Sequence, residues 1–350
     1  MSLAAWRRIT VGVLIVAAVV YILGYTTFFS FQYRSEAANQ PERFIPLPVF
    51  DRADYDARLL ALAHVSANAT TSSTTPPRLW PVKTVYPDVG AILPFKRIVA
   101  YYGNFYSKQM GVLGEYPPDQ VLAMLASTTQ MWAAVDPTTP TIPAIQYIAV
   151  VAQGTAGADG KYILRMPDDQ IDQALSMANQ VHGLLILDVQ VGLSTLQQEL
   201  PQLQKYLQMP QVELAIDPEF SMKYGNPPGT VIGTFDASDI NYAAEYLASL
   251  VRANKLPPKV LIVHRFTEDM VTNYKNIQPL PEVQIVMDMD GWGSQAKKEN
   301  TYQRVIEDQP VQFTGIKLFY KADLKPPSTG MLTPAQVMKL LPTPVYIQYQ

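Results

Sequence analysis

The sequence predicts a (β/α)8 TIM barrel, preceded by an N-terminal transmembrane helix and a Pro/Ser/Thr-rich stalk. The barrel is indicated by eight apolar, β-rich runs that alternate with segments of helical periodicity. The runs are Arg97–Tyr102, Ile145–Ala152, Gly183–Val189, Val212–Ile216, Lys259–His264, Val283–Met289, Phe313–Phe319 and Val345–Tyr349.

Segments with helical spacing separate consecutive runs. They are Asp119–Val135, Asp168–Val181, Ser194–Leu207, Ala237–Asn254, Thr267–Asn276, Ser294–Glu307 and Thr333–Leu340. A strand–helix–strand alternation implies parallel strands, and strands that are apolar throughout are covered on both faces. Eight such units close into a barrel. The alternative is an open doubly wound sheet, but no Gly-rich phosphate loop follows the first run, where Tyr102-Gly103-Asn104-Phe105 stands instead.

The first domain, residues 1–31, is predicted to be a membrane anchor. An almost unbroken apolar run extends from Ile9 to Phe31, directly after Arg7 and Arg8. A helix of this length crosses a hydrocarbon core of about 30 Å. The arginines favour a cytoplasmic N-terminus, so we expect a single-pass protein of the cell membrane with an extracytoplasmic body. The alternative is a cleaved signal peptide, whose apolar region is usually shorter.

The second domain, residues 32–96, is predicted to be an extracytoplasmic stalk. Pro and Ser/Thr at the density seen here give an extended spacer, most clearly in the run 69–77. One short helix interrupts it at Asp51–Val65 and presents Tyr55 and Leu59 on one face, suited to packing against the underside of the barrel. The barrel domain then occupies residues 97–350.

Composition excludes several classes of function. The net charge is −3, whereas a nucleic-acid binder normally shows a basic face, so nucleic acid is not an expected partner. The chain has no cysteine, which removes thiolate metal sites, Cys nucleophiles and lipoprotein acylation. It has only three histidines, too few for a His-rich metal cage. We therefore expect no metal site and no cofactor.

Acidic residues concentrate at the predicted strand ends, where the sites of barrel enzymes lie. The ends of the third, fourth and sixth runs carry Asp188, Asp217, Glu219, Asp288 and Asp290. A strand-end Asp often only begins a loop or caps a helix. Five of them are harder to explain in that way, because each partly buried charge needs a partner.

Two carboxyl groups at facing strand ends are what glycoside hydrolysis requires, one protonated and the other ionised. Crowded carboxylates acquire different pKa values, which supplies both states at one pH. We expect Glu219 to be the proton donor and Asp217 or Asp188 to be the ionised partner. Contacts with a carbohydrate are predicted for Tyr102, Glu115, Gln190, His264, Asp288, Asp290, Trp292, Lys317 and Tyr320.

Lys317 lies within a predicted strand, where an unpaired lysine is unusual. A salt bridge to Asp288 is the favoured interpretation. The other is a Schiff-base lysine, which requires an apolar pocket rather than a ring of carboxylates.

Several blocks taken together resemble a family of exported, lipid- or membrane-anchored bacterial TIM-barrel proteins that are glycoside-hydrolase-like. The resemblance covers about Arg97 to Gln350, and it implies export and a site at the strand ends without assigning a catalytic residue. This chain departs from lipoprotein members in having no lipidation Cys. The blocks are Tyr101-Tyr102-Gly103, Met110-Gly111-Val112-Leu113-Gly114-Glu115, Leu187-Asp188-Val189-Gln190, Asp217-Pro218-Glu219-Phe220, Val263-His264-Arg265-Phe266, Asp290-Gly291-Trp292-Gly293 and Lys317-Leu318-Phe319-Tyr320.

The leading prediction is therefore a membrane-anchored, extracytoplasmic hydrolase that acts on an envelope or extracellular glycan. One alternative is a barrel enzyme, a lyase or phosphodiester hydrolase, that binds a divalent cation through Asp188, Asp217, Glu219 and His264. Another is a non-catalytic glycan-binding or envelope-complex subunit with membrane partners on the same scaffold.

Overall fold

The computed structural model describes residues 50–66 and 78–350. Within these ranges no helix has both the length and the hydropathy that crossing a membrane requires. The predicted Ile9–Phe31 span lies outside the described residues, as does the Ser/Thr-rich part of the predicted stalk.

The described chain forms a closed barrel of eight parallel strands, as the sequence predicts. A hydrogen-bonded pairing between the first two strands closes the sheet, and the short strand Ile163–Arg165 pairs antiparallel with the end of the second barrel strand. The barrel strands are β1 (Arg97–Gly103), β2 (Thr141–Ala152), β4 (Leu184–Val189), β5 (Val212–Ile216), β7 (Lys259–Arg265), β9 (Val283–Met289), β10 (Phe313–Leu318) and β11 (Tyr346–Tyr349). The remaining strands are β3 (Ile163–Arg165), β6 (Phe235–Asp236) and β8 (Val271–Thr272).

The helices surround this barrel. They are α1 (Arg52–Leu62), α2 (Val112–Glu115), α3 (Pro118–Val135), α4 (Asp168–Gln180), α5 (Leu196–Glu199), α6 (Gln204–Leu207), α7 (Ala237–Asn254), α8 (Gln295–Tyr302) and α9 (Pro334–Val337). One predicted helix is wrong. Residues Thr267–Asn276 form two 3-10 turns around β8, because Val271 and Thr272 pair with β6. The predicted helix Ser194–Leu207 is divided into α5, a 3-10 segment that contains Pro201, and α6.

The described part of the predicted stalk packs against one end of the barrel. Tyr55 of α1 and Leu93 are buried in the same apolar cluster as interior residues of the strands. Trp80 is also buried, and its indole N–H donates to the carbonyl of Glu307 at 2.9 Å. Residues 50–66 and 78–96 therefore cover the base of the barrel.

Alternation along each strand separates two layers of core. Ile98, Ala100, Ile186 and Ile262 belong to the cluster inside the barrel, whereas Val99 and similar residues pack outward under the helices. Side chains two residues apart in a strand point to the same side. The next inward position after Ile262 is His264, and polar residues follow the inward apolar residues on the neighbouring strands in the same way. The apolar interior thus ends where a polar layer begins, towards the carboxyl ends of the strands.

Candidate active site

A cavity of about 400 Å³ opens at the carboxyl ends of the barrel strands. Seven residues predicted to belong to the site line it, namely Tyr102, Gln190, Asp217, Glu219, Asp290, Trp292 and Lys317. Strand-end position alone did not single out several other lining residues, among them Gln109, Met110, Lys297, Thr301 and Phe319. The strand-end residues from different parts of the sequence therefore do converge on one opening.

Asp217 and Glu219 reach the cavity through a turn rather than an extended strand. Asp217 caps a 3-10 turn over Pro218–Phe220, and its Oδ1 accepts a hydrogen bond from the Glu219 N–H at 3.1 Å. Its Oδ2 lies 3.3 Å from Nε2 of Gln190. The two carboxyl groups are therefore not aligned by the alternation of side chains along an extended strand, but both still line the same cavity.

A fully buried ionic layer lies beneath the cavity floor. Here His264 sits between two carboxylates, with Nε2 at 2.9 Å from Asp188 Oδ2 and Nδ1 at 3.2 Å from Asp288 Oδ2. None of the three lines the cavity, although all were predicted to contact substrate or act on it. Asp290 connects the two levels, because it lines the cavity and its Oδ2 is 3.5 Å from His264 Nδ1.

Two residues absent from the predicted site complete this buried layer. Gln146 donates from Nε2 to Asp188 Oδ2 at 2.6 Å, and its Oε1 accepts a hydrogen bond from the Tyr346 hydroxyl. Both side chains are completely buried. A polar residue in the middle of an apolar strand was the available signal for Gln146, since such a residue needs a buried partner.

The His264–Asp188 contact is an ion pair. Burial alone would lower the pKa of His264, but the charge of Asp188 and hydrogen bonds to Asp188 and Asp288 raise it well above the ordinary value. Burial opposes ionisation of Asp188 in the same way. The adjacent imidazolium, the Gln146 amide and the charge of Lys317 nevertheless hold the pKa of Asp188 below its usual range. At neutral pH the layer therefore contains an imidazolium against a carboxylate.

At the three carboxyl groups that line the cavity burial has the larger effect, and the pKa of each is raised. Burial, followed by repulsion from Asp290, raises the pKa of Glu219 to about 7. Burial also raises the pKa of Asp290, although His264 and Lys317 oppose that shift. For Asp217 burial is again the main cause, and repulsion from Asp290, Glu219 and Asp188 adds to it, so that its pKa lies well above the usual range.

The predicted salt bridge between Lys317 and Asp288 is not present. Among the described residues the Lys317 ammonium has no carboxylate within ion-pairing distance, and it lies 3.7 Å from the centre of the Tyr102 ring. Lys317 is only 4% exposed and lines the cavity. The ring face takes the place of the expected carboxylate, because an aromatic quadrupole attracts a cation.

A second buried ion pair fixes the loops that carry the site. Lys298 Nζ lies 3.1 Å from Asp323 Oδ2 and donates to the carbonyls of Gly291 and Lys317 at 2.8 and 2.6 Å. Asp323 in turn accepts hydrogen bonds from the backbone N–H groups of Gly293 and Phe319, both at 2.9 Å. The pair therefore ties the loop after β9 to the end of β10.

Two residues of the predicted site lie away from the cavity. The Tyr320 hydroxyl is 2.9 Å from the Tyr101 hydroxyl, and its ring stacks on Tyr349. Glu115 forms an ion pair with Lys321 at 2.5 Å. Neither lines the cavity, so no contact in the structure supports their predicted role.

Metal binding was the basis of one alternative. Within residues 50–66 and 78–350, no group of three or more His, Asp or Glu side chains is arranged to hold a metal ion. One carboxylate oxygen on each of Asp188, Asp288 and Asp290 is buried without a hydrogen-bond partner among these residues.

Comparisons with known proteins give structural similarities only. No family model matches the chain, and no curated protein matches it. Similar solved structures include the cellulase Cel5C_n, with 15% identity, coverage of 63% of this chain and 64% of that chain, and a TM-score of 0.35. The cellulose synthase subunit Z (CcsZ) of Clostridioides difficile has 11% identity, coverage of 73% and 91%, and a TM-score of 0.36. A hyperthermophilic endo-β-1,4-glucanase has 10% identity, coverage of 73% and 88%, and a TM-score of 0.36.

The chain thus spans about 64% of the length of Cel5C_n. At TM-scores below 0.5, these similarities support no statement about the activity of the chain.

Proposed function

We propose that the chain is a glycoside-hydrolase-like enzyme that acts on an envelope or extracellular glycan by carboxylate acid/base chemistry. One observation carries the proposal. Glu219, with a pKa raised to about 7, faces a cavity that it shares with two other carboxyl groups. Glycosidic cleavage needs a carboxyl group that is still protonated near neutral pH and a second one that is ionised.

Glu219 is the proton donor in this proposal. It is partly exposed to the cavity, so that its proton can reach a glycosidic oxygen bound there. A pKa near the working pH lets a group donate a proton and regain it in the next turnover.

Asp290 is the ionised partner. Asp188 is ionised but lies beneath the floor, paired with His264 and out of reach of a substrate. Asp217 lines the cavity, but its pKa is raised well above the usual range. Asp290 combines access with two nearby cations, His264 and Lys317, that favour its anion. Its charge would stabilise the positive charge that develops at the anomeric carbon.

The buried layer would act by positioning. His264 is held in its charged form between Asp188 and Asp288, and it places a fixed positive charge 3.5 Å from Asp290. Phe220, a partly exposed aromatic side chain at the cavity wall, offers an apolar face to a sugar ring.

We extend the proposal to location and domains. Residues 1–31 form the membrane anchor, residues 32–96 connect it to the barrel, and the barrel at 97–350 faces the outside of the cell. The apolar run Ile9–Phe31 and the arginines before it support this arrangement.

The test is a screen of the full-length chain against cell-wall and exopolysaccharide fragments, with release of reducing ends as the readout. Glu219→Gln keeps the size of the side chain and removes the acid, and we expect a loss of about 10²–10⁴-fold in turnover. Glu245→Gln, on the exposed surface of α7, is the matched control and should retain full activity. Undiminished turnover in Glu219→Gln would exclude the assigned role.

A further inference from the structure

Three lysines that line the cavity or contact Trp292 at its wall have no ion-pair partner among the described residues. Within the described residues, the ammonium groups of Lys297, Lys317 and Lys325 form neither an ion pair nor a hydrogen bond, and their contacts are with aromatic rings. Lys297 lies 4.8 Å and Lys325 lies 5.3 Å from the centre of the Trp292 ring. We call these three residues the lysine wall.

Lys317 is the most informative member of the lysine wall. Lys317 is only 4% exposed, and it lines the cavity. Placing an ammonium group in such a site is costly unless its charge and its three N–H donors are compensated. The Tyr102 ring at 3.7 Å compensates part of the charge but accepts no conventional hydrogen bond. The donors of Lys317 therefore lack acceptors that a ligand could supply.

The acidic residues of the cavity compensate only part of this positive charge, because burial favours their neutral forms. Burial and mutual repulsion raise the pKa of Asp217 well above its usual range, and the pKa of Glu219 lies at about 7. Both shifts favour the neutral form of the acid. Asp290 is closely associated with His264. The negative charge of the cavity is thus weakened by burial, whereas the three lysines have no ion-pair partner among the described residues.

We propose that the glycan bound here is anionic, and that Lys317, Lys297 and Lys325 hold its carboxylate or sulfate groups. The inference rests on the proposed function and specifies its substrate class. Trp292, which is 50% exposed and contacts Lys297 and Lys325, would pack its exposed surface against the sugar ring that carries the anionic group. When the lysine wall holds the anionic group of one sugar, the glycosidic bond to the next sugar would lie near Glu219.

The experiment measures equilibrium binding to a glycan panel, using the full-length chain with Glu219→Gln so that bound chains are not cleaved. The panel contains polygalacturonate and alginate as carboxylates, chondroitin sulfate as a sulfate ester, and chitosan as a cationic glycan. Carboxyl-reduced polygalacturonate is the matched neutral probe, since it keeps the backbone and linkage of the first member. The carboxylate and sulfate arms distinguish the two sources of negative charge.

We expect one or both anionic arms to bind at least tenfold more tightly than the neutral and cationic probes. Lys317→Met keeps an apolar side chain of similar length against Tyr102 and should weaken anionic binding at least tenfold. Lys297→Gln with Lys325→Gln should weaken it and reduce its dependence on salt, because these two lysines are exposed and screened. Lys339→Gln, an exposed lysine that does not line the cavity, is the matched control.

Equal or tighter binding of the neutral or cationic probes would overturn the inference. Absence of binding to every glycan of the panel would overturn it as well. Lysine variants that bind like Lys339→Gln would also overturn it. The proposed function fails in a different way. Anionic glycans that bind through the lysine wall but are never cleaved by the unmodified chain would contradict hydrolysis and leave the charge preference intact.

Discussion

At the scale of single residues, the site depends on carboxyl groups of one chemical type that hold different protonation states. Asp188 remains ionised because an imidazolium is 2.9 Å away, whereas Glu219 keeps a proton near neutral pH because it is partly buried beside other acids. Environment therefore assigns the roles, as it does wherever two carboxyl groups divide acid and base work.

The pH dependence of turnover tests this assignment. Since Glu219 must be protonated to act, kcat/KM should fall as the pH rises through about 7. Lys317→Met removes a positive charge that lowers the pKa values of Glu219 and Asp290. Both limbs of the profile should then move to higher pH, whatever the maximal rate. An alkaline limb that stays in place in this variant would contradict the electrostatic argument.

His264 should make stability depend on pH. Its pKa is raised in the folded state, so its contribution is fully present below the unfolded pKa of about 6.5 and is lost as the pH rises towards the folded value. We expect this residue to reduce the free energy of unfolding by up to about 1.4 kcal/mol per pH unit above pH 6.5.

Urea unfolding of the full-length chain between pH 6 and pH 9 gives the measurement. His264→Gln should be less stable at pH 6, and the difference from the unmodified chain should shrink as the pH rises. A difference that stays constant over this range would show that His264 is neutral in the folded protein.

At the scale of elements, the buried pair Lys298–Asp323 holds two strand-end loops together. Burial lowers the pKa of Lys298 to about 8 even though Asp323 is adjacent, because the ammonium group is almost completely removed from water. Asp323→Ala would leave a buried ammonium without its carboxylate and two backbone N–H groups without an acceptor. We expect a loss of about 3–5 kcal/mol in the free energy of unfolding.

An exposed ion pair provides the control. Arg304 and Glu268 are both nearly half exposed, so Arg304→Ala should cost no more than about 1 kcal/mol. Comparable losses in the two variants, measured by chemical unfolding, would contradict the importance given to the buried pair.

The strands could be predicted better than the segments between them. Strands buried on both faces consist mainly of apolar residues, and this signal identified all eight. The segment Thr267–Asn276 has helical spacing, but its fold is decided by a pairing with β6, which is distant in sequence. The break at Pro201 follows from the missing N–H of proline, which the spacing argument did not take into account.

At the scale of the whole molecule, barrel closure explains which residues the sequence could assign to the site. It also explains why the sequence could not say which of them line the cavity and which lie beneath its floor. Parallel strands end on one side, so the acidic strand ends meet there. Depth depends on register across the barrel, which places Asp288 opposite His264 and leaves Asp290 one step above. That register is invisible in a single strand. For the same reason the sequence did not indicate that Tyr320 packs with Tyr101 and Tyr349.

The proposed anchor concerns the molecule as a whole. If residues 9–31 span the bilayer, the full-length chain should remain with membranes after an alkaline carbonate wash. Such a wash weakens electrostatic contacts with the membrane surface but does not extract a spanning helix. A chain that begins at Gln32 should be recovered in the soluble fraction. Release of the full-length chain by the wash would contradict the proposed anchor.

The most direct test of the central claim is a crystal structure of the Glu219→Gln variant with a bound oligosaccharide from the glycan screen. The strand-end carboxyl groups are proposed to surround a glycosidic bond. The side chain of residue 219 should then lie about 2.6–3.2 Å from the glycosidic oxygen, with Asp290 facing the anomeric carbon. An oligosaccharide bound outside the cavity, or one whose glycosidic oxygens all lie beyond the reach of residue 219, would contradict the account.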